Sequence, residues 1–460
     1  MRLAKAPESP RCGPGPNLAK FEGDAGSWGT LVTRFGAVAQ GNDLPMRLQF
    51  GPMAAIQTQV DRSAVADDAT HGRQQALPVT ASSCMHGKFL LNGNIGSPSL
   101  LAQRARPWLR AGNGGQPKVL LITAAWGQGE YGEQGIRDAL NAAGIESNWS
   151  GGFDQNIFNL CAWHVWQDYL ARHPRTAAVD AEIRAVQDAT RRFYVEKTSF
   201  HAQRIRQAAR FARDKLGDFE IGRLPMVQTE SVQAAAAMSG RDALRRALTR
   251  ELVHDLTDLV ENDRRMMAAL AEEDEVVAAR TGLRVDSDWL KQQRMLAERI
   301  LSADVVVLLG GDPDALLNSL RFFDLAPALL ETLRRGATII SVSAGSLVLC
   351  ERMIIYDNYS PDPNRREFRL YDRGLGLISG LQILPHCMDR IHTDDADNLA
   401  YLARRFSSHL CVGLNEESFL LVDPAVPRAY SVGSLDGVFV FGADGVKWRY
   451  SKGEILNLRR

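Results

Sequence analysis

From Lys88 onward the apolar residues of this chain fall into two alternating patterns. Short continuous runs occur at Lys88–Asn92, Val119–Thr123, Ala303–Gly310, Ala337–Val342, Leu381–Pro385, Val412–Leu414 and Ser418–Val422. Such runs predict strands buried on both faces, as in a parallel sheet covered by helices. Between them, apolar positions recur every three or four residues over Ser99–Arg110, Glu133–Ala143, Asp314–Leu320 and Ala326–Arg335. That spacing predicts amphipathic helices, and the alternation predicts an α/β fold with a doubly wound, mostly parallel sheet.

The pattern changes between residues 153 and 302, where helix-forming, charge-dense sequence fills Ala178–Glu196, Phe200–Lys215, Gly240–Glu272 and Trp289–Ser302. Leu252, Leu256, Leu259 and Val260 mark one buried stripe there. We read residues 153–302 as an inserted all-helical subdomain, a lid or a homodimer contact. The α/β domain then comprises residues 85–152 and 303–460. Charge runs such as Glu261–Arg265 read as solvated faces. At the C-terminal end, Val438–Phe441 and Lys447–Tyr450 flank Asp444-Gly445 and predict a β-hairpin completing a sheet edge. Residues 1–84, rich in Gly, Pro, Ala, Gln and Asp without periodicity, read as a poorly ordered leader.

Composition narrows the function. The 54 basic and 54 acidic side chains cancel, so neither nucleic acid nor an anionic membrane is an expected partner. Six scattered cysteines form no Cys-x-x-Cys pair and read as reduced, which with the absence of a signal-like apolar run predicts a cytoplasmic protein.

The chemistry is concentrated in Gly336–Cys350, where a β-branched strand runs into small residues carrying Ser343 and then into an apolar helix start. This is the build of a nucleophile elbow, which holds a serine in strained backbone and needs small neighbours two residues away on either side, here Ser341 and Gly345. The amide of Ala344, opening the helix, can face a developing oxyanion. A serine also needs a general base. His386 ends the run Leu381–Pro385, at the carboxyl end of a strand where sites in open α/β sheets gather, and is the candidate base. His392 is second to it, and the acidic residues around it lack metal-ligand spacing, so no metal and no cofactor are expected. Asp357 and Glu417 compete as the carboxylate that orients the imidazole. Gly311, after the strand Val305–Leu309, is a candidate second oxyanion donor.

Taken in order, Gly310-Gly311, Ser343-Ala-Gly345, Asp357, Leu384-Pro-His386 and Gly413-Leu-Asn-Glu-Glu417 resemble the peptidase E and cyanophycinase family of serine peptidases. The resemblance covers about Lys88–Ser150 and Ala303–Asp423, and implies a class I glutamine amidotransferase-like, flavodoxin-like fold. It implies Ser343 as nucleophile, His386 as base, Asp357 as third member, Gly311 and Ala344 as oxyanion donors, and cleavage beside aspartate. Three positions depart from the family pattern: Ser341 replaces a glycine, Asp312 replaces an asparagine, and Cys387–His392 replaces a basic run. The expectation is therefore a serine hydrolase acting through an acyl-enzyme on a small peptide, isopeptide or amide. The alternative is a catalytically silent module of the same fold that binds a metabolite or protein. A glutamine amidotransferase would carry cysteine at the elbow, and Cys350 lies beyond it.

Overall fold

The computed structural model describes residues 86–112, 114–224, 240–356, 368–426, 428–431 and 437–457. The leader read over residues 1–84 lies outside them. The first half of the core contains β1 (Lys88–Asn92), α1 (Pro98–Ala105), β2 (Val119–Ile122), α2 (Gln134–Ala142), a two-stranded ribbon β3 (Trp149–Ser150) and β4 (Phe153–Asp154), β5 (Ile157–Asn159) and α3 (Ala162–Arg172). Two long helices follow, α4 (Pro174–Leu216) and α5 (Gly240–Thr281), then α6 (Ser287–Leu301). The chain returns through β6 (Val305–Leu308), α7 (Pro313–Phe322), α8 (Ala326–Arg334), β7 (Thr338–Val342) and the short α9 (Ala344–Leu349). A hairpin of β8 (Arg352–Tyr356) and β9 (Phe368–Arg373) leads to β10 (Leu381–Pro385), α10 (Cys387–Arg390), α11 (Ala396–Arg405) and β11 (Leu410–Leu414). The last strands are β12 (Phe419–Asp423), β13 (Arg428–Ser431), β14 (Val438–Phe441), β15 (Lys447–Tyr450) and β16 (Ile455–Asn457).

The main sheet has eight strands in the order β16-β13-β12-β1-β7-β6-β2-β5. From β1 to β5 every pairing is parallel, while β12, β13 and β16 extend the sheet antiparallel. Because successive strand residues point to opposite faces, Leu90, Leu121, Val307 and Ile340 pack under α1 and α2. Their neighbours Leu91, Leu120, Val306 and Ile339 pack under α3, α6, α7 and α8. The fold is thus α/β with helices on both faces, a helical insertion and a C-terminal hairpin.

Two expectations need correction. Sequence reading put all late strands in one sheet, but β10, β11, β14 and β15 form a separate four-stranded sheet in that order. An apolar run specifies a strand, not its partner. The predicted hairpin exists as β14–β15 and closes this second sheet, not the main one. Second, β5 pairs in parallel with β2, and α6 buries Trp289, Leu296 and Ile300 in the main core. The segments at both ends of the proposed insertion thus join the α/β part, and among the described residues α4 and α5 pack on each other as a pair.

That pair packs through Ile205, Ala209, Ala212 and Leu216 against Leu252, Leu256 and Leu259. It is also fastened to the second sheet, where Met266 and Leu270 join Leu384, Cys387, Ile391 and Phe441. A buried, two-pronged ion pair reinforces the junction: Arg405 Nε and Nη2 donate to Asp263 at 2.7 and 2.8 Å. The charge run containing Asp263 is therefore only partly solvated, its neighbours Glu261, Arg264 and Arg265 pairing with one another at the surface. Among the described residues no helix is long and apolar enough to cross a membrane.

Candidate active site

Ser343 stands between β7 and α9 with φ 49° and ψ −108°, the sharp turn expected of an elbow. The turn is held from below: the Ser343 amide donates to Asn92 O at 3.0 Å, and the Ser346 hydroxyl donates to the same oxygen at 2.9 Å. Ser341, which replaces the family's glycine, is fully buried with its Oγ 2.9 Å from Ser346 Oγ. Its hydroxyl is thus absorbed into the support of the elbow. Gly345 is required because a Cβ there would stand 2.5 Å from Leu308 O. The small residues flanking Ser343 therefore have separate reasons, one polar and one steric.

His386 caps α10 with φ 54°, directly after β10. Although its strand lies in the second sheet, the ring reaches across, and His386 Nε2 lies 2.9 Å from Ser343 Oγ. Asn415 fixes the turn that presents the ring, its Oδ1 accepting from the Met388 amide at 2.8 Å and from Cys387 Sγ at 3.0 Å. Burial pushes the imidazole pKa below its ordinary 6.5, and the positive charge of Arg390 adds to that, with Asp389 opposing. The ring is consequently neutral near pH 7 and able to accept a proton. Five described non-glycine residues have positive φ, and Ser343 and His386 are two of them. Both candidate reacting side chains thus stand on strained backbone.

The two proposed oxyanion donors adjoin Ser343. A Cβ on Gly310 would lie 3.0 Å from Ser343 Cβ, so the Gly310-Gly311 turn is pressed against the elbow. Gly311 has φ +142°, and a Cβ there would stand 2.6 Å from Ala125 O. Trp126 holds this turn, its indole Nε1 donating to Gly310 O at 2.9 Å. Ala344 is the first residue of α9, where an amide has no intrahelical acceptor. Among the described residues neither the Gly311 nor the Ala344 amide donates a hydrogen bond.

The carboxylate is the member the structure does not bring in. Asp357 follows β8 and lies outside the described residues. Glu417 is described and belongs elsewhere: its Oε2 accepts from Arg104 Nη2 at 3.2 Å. Among the described residues no carboxylate is hydrogen-bonded to the other ring nitrogen of His386. Asp312, where the family has asparagine, caps α7 through the amides of Asp314 and Ala315.

Residues 280–425 match the model of peptidase family S51. The family resemblance read from the sequence holds over the stretch that carries both Ser343 and His386, and it supports a peptidase function. No curated protein matches the chain. Among solved structures, a peptidase from an acI-B1 Actinobacterium is similar at 14% identity, with 82% of this chain and 98% of that chain covered and a TM-score of 0.41.

Asn92, Trp126 and Asn415 were not singled out as site residues from sequence. Asn415 alone carried a signal, since it falls inside the motif Gly413–Glu417. The other two act through a carbonyl and an indole that only the folded sheet brings to Ser343 and Gly310.

Proposed function

We propose that the chain is a serine hydrolase of the peptidase E kind that cleaves a small peptide, isopeptide or amide through an acyl-enzyme. The observation that carries this reading is the 2.9 Å separation of Ser343 Oγ and His386 Nε2 across two sheets. In the first step Ser343 Oγ attacks the carbonyl carbon while His386 Nε2 takes the hydroxyl proton. Negative charge develops on the carbonyl oxygen, and the amides of Gly311 and Ala344, both next to Ser343, are the donors proposed to receive it. His386 then gives its proton to the leaving nitrogen, the C–N bond breaks, and an ester to Ser343 remains. Water, deprotonated by the same imidazole, attacks that ester and restores the serine.

Asp357 is proposed as the residue that orients the imidazole, since Glu417 is engaged by Arg104. The loop after His386 carries Asp389 beside Arg390 in place of a basic run, so the proposal does not extend to an aspartyl side chain at the cleaved bond. The test is labelling by a fluorophosphonate probe. Wild type labels and Ser343→Ala does not; labelling that persists in Ser343→Ala, or a wild type inert to the probe, overturns the proposal.

A further inference from the structure

The α4–α5 pair holds a cluster that the proposed reaction does not use. Asp255 and Asp258 stand three residues apart on α5, hence on one face of that helix. His201 of α4 faces them, and one potential ligand atom from each of the three lies within 4.8 Å of the others. His201 is 9% exposed and Asp255 2% exposed. Both are left with unmet demands: His201 Nδ1 and Asp255 Oδ1 are buried without a hydrogen-bond partner. Arg204 Nη2 lies 3.0 Å from that same Asp255 oxygen as an ion pair outside hydrogen-bonding geometry. A buried imidazole nitrogen with no hydrogen-bond partner, beside a buried carboxylate oxygen whose only partner is a half-exposed arginine, is costly to a packed helix pair unless something binds there.

We propose that His201, Asp255 and Asp258 form a site for one divalent transition-metal ion of the zinc class, which staples α4 to α5. One imidazole nitrogen and two carboxylate oxygens are ligands that zinc accepts at roughly 2.0–2.2 Å, with water completing a tetrahedral shell. Ligand atoms in a tetrahedral shell of that bond length are roughly 3.3–3.6 Å apart, so the cluster, whose atoms lie within 4.8 Å, must tighten by about an ångström on binding. Arg204 is the competing cation, and its half-exposed side chain is free to swing towards solvent as the metal enters. His254, exposed and 3.5 Å from Asp258, offers a further nitrogen at the rim.

The test uses the full chain, stripped with a chelator and titrated with zinc chloride by calorimetry. One zinc per chain should bind at micromolar or lower Kd, and a hundredfold excess over Kd should raise Tm by roughly 3 °C. Cobalt should bind the same site and give a visible absorption band. Asp258→Asn, at the half-exposed rim, should weaken zinc binding at least about tenfold while leaving the circular dichroism spectrum and probe labelling of Ser343 intact. Arg204→Ala should strengthen binding. A stripped wild type that takes up no zinc at millimolar concentration overturns the proposal, as does a zinc affinity unchanged in Asp258→Asn. The outcome is independent of whether Ser343 is reactive.

Discussion

The two halves of the candidate site are supported in different ways. Ser343 emerges from the middle of the eight-stranded sheet, where β7 is paired on both sides and the elbow is tied to Asn92. His386 emerges from β10, the edge of a four-stranded sheet. Leu384 and Cys387 beside it share a cluster with Met266 and Leu270 of the helical insertion, while Leu381 and Ile383 of the same strand pack in the main core. The serine half is thus fixed by a buried parallel sheet alone, whereas the histidine half draws on an added element as well as on the main core. The insertion, read from sequence as a lid or dimer arm, acts here at least as a buttress for the strand that carries the base.

The largest effect should come from removing the imidazole. His386→Ala should lower kcat by on the order of 10⁴-fold or more while leaving Tm within a few degrees, because a half-buried ring is lost but no core is opened. Steady-state kinetics beside a thermal melt would separate the two readouts. A rate loss below about tenfold would show that another group serves as base.

The comparison is broken more indirectly at Arg405. Arg405→Ala leaves Asp263 as an uncompensated buried charge and should cost about 3–5 kcal/mol, read from chemical denaturation. The double change Asp263→Leu with Arg405→Met should recover most of that loss, since apolar replacement of a buried pair is often neutral. If the histidine half alone depends on this junction, Arg405→Ala should also reduce probe labelling at sub-denaturing urea concentrations, before the main sheet unfolds.

On the serine half, Gly311→Ala brings a Cβ into Ala125 O and a side chain into positive φ. The turn must shift, and with it one oxyanion donor. We expect kcat to fall about 10²–10³-fold, the typical cost of one such donor. KM should change little, because the developing charge exists only in the transition state.

These contrasts track what the sequence could disclose. The elbow was legible because strand, turn and helix start are contiguous, and Ser341 and Gly345 announce close packing. That His386 ends a strand was also legible. That its strand belongs to another sheet was not, because Leu381–Pro385 and Thr338–Val342 have the same apolar pattern and differ only in partners 29 or more residues away. The insertion shows the same limit. The polar stretch Glu196-Lys-Thr-Ser199 read as a break between two helices, yet α4 runs through it unbroken. Asn262 of α5 donates to Thr198 Oγ1 at 2.8 Å and to Tyr194 O at 3.2 Å, so a partner helix absorbs the polar residues that local propensity would assign to a turn. The third triad member stayed open for a different reason: position alone leaves Asp357 and Glu417 in competition, the family resemblance favours Asp357, and the Arg104 contact engages Glu417 elsewhere.

The smallest and most discriminating effect concerns pH. Burial and Arg390 lower the His386 pKa below 6.5, so the base-competent neutral ring persists into mildly acidic solution. The acid limb of kcat/KM, which reports the free enzyme, should therefore fall off below pH 6.5. Arg390→Gln removes a charge that opposes protonation and should move that limb up towards 6.5, whereas Asp389→Asn should move it further down. Stability follows with a definite sign. Between the lowered folded pKa and 6.5 the unfolded chain binds the extra proton, so this group's contribution is present above that window and is lost as pH falls through it. Since Arg390 and Asp389 belong to the histidine half alone, the serine half predicts no shift from either change. A limb that stays fixed in both variants would mean that the group titrating in catalysis is not His386.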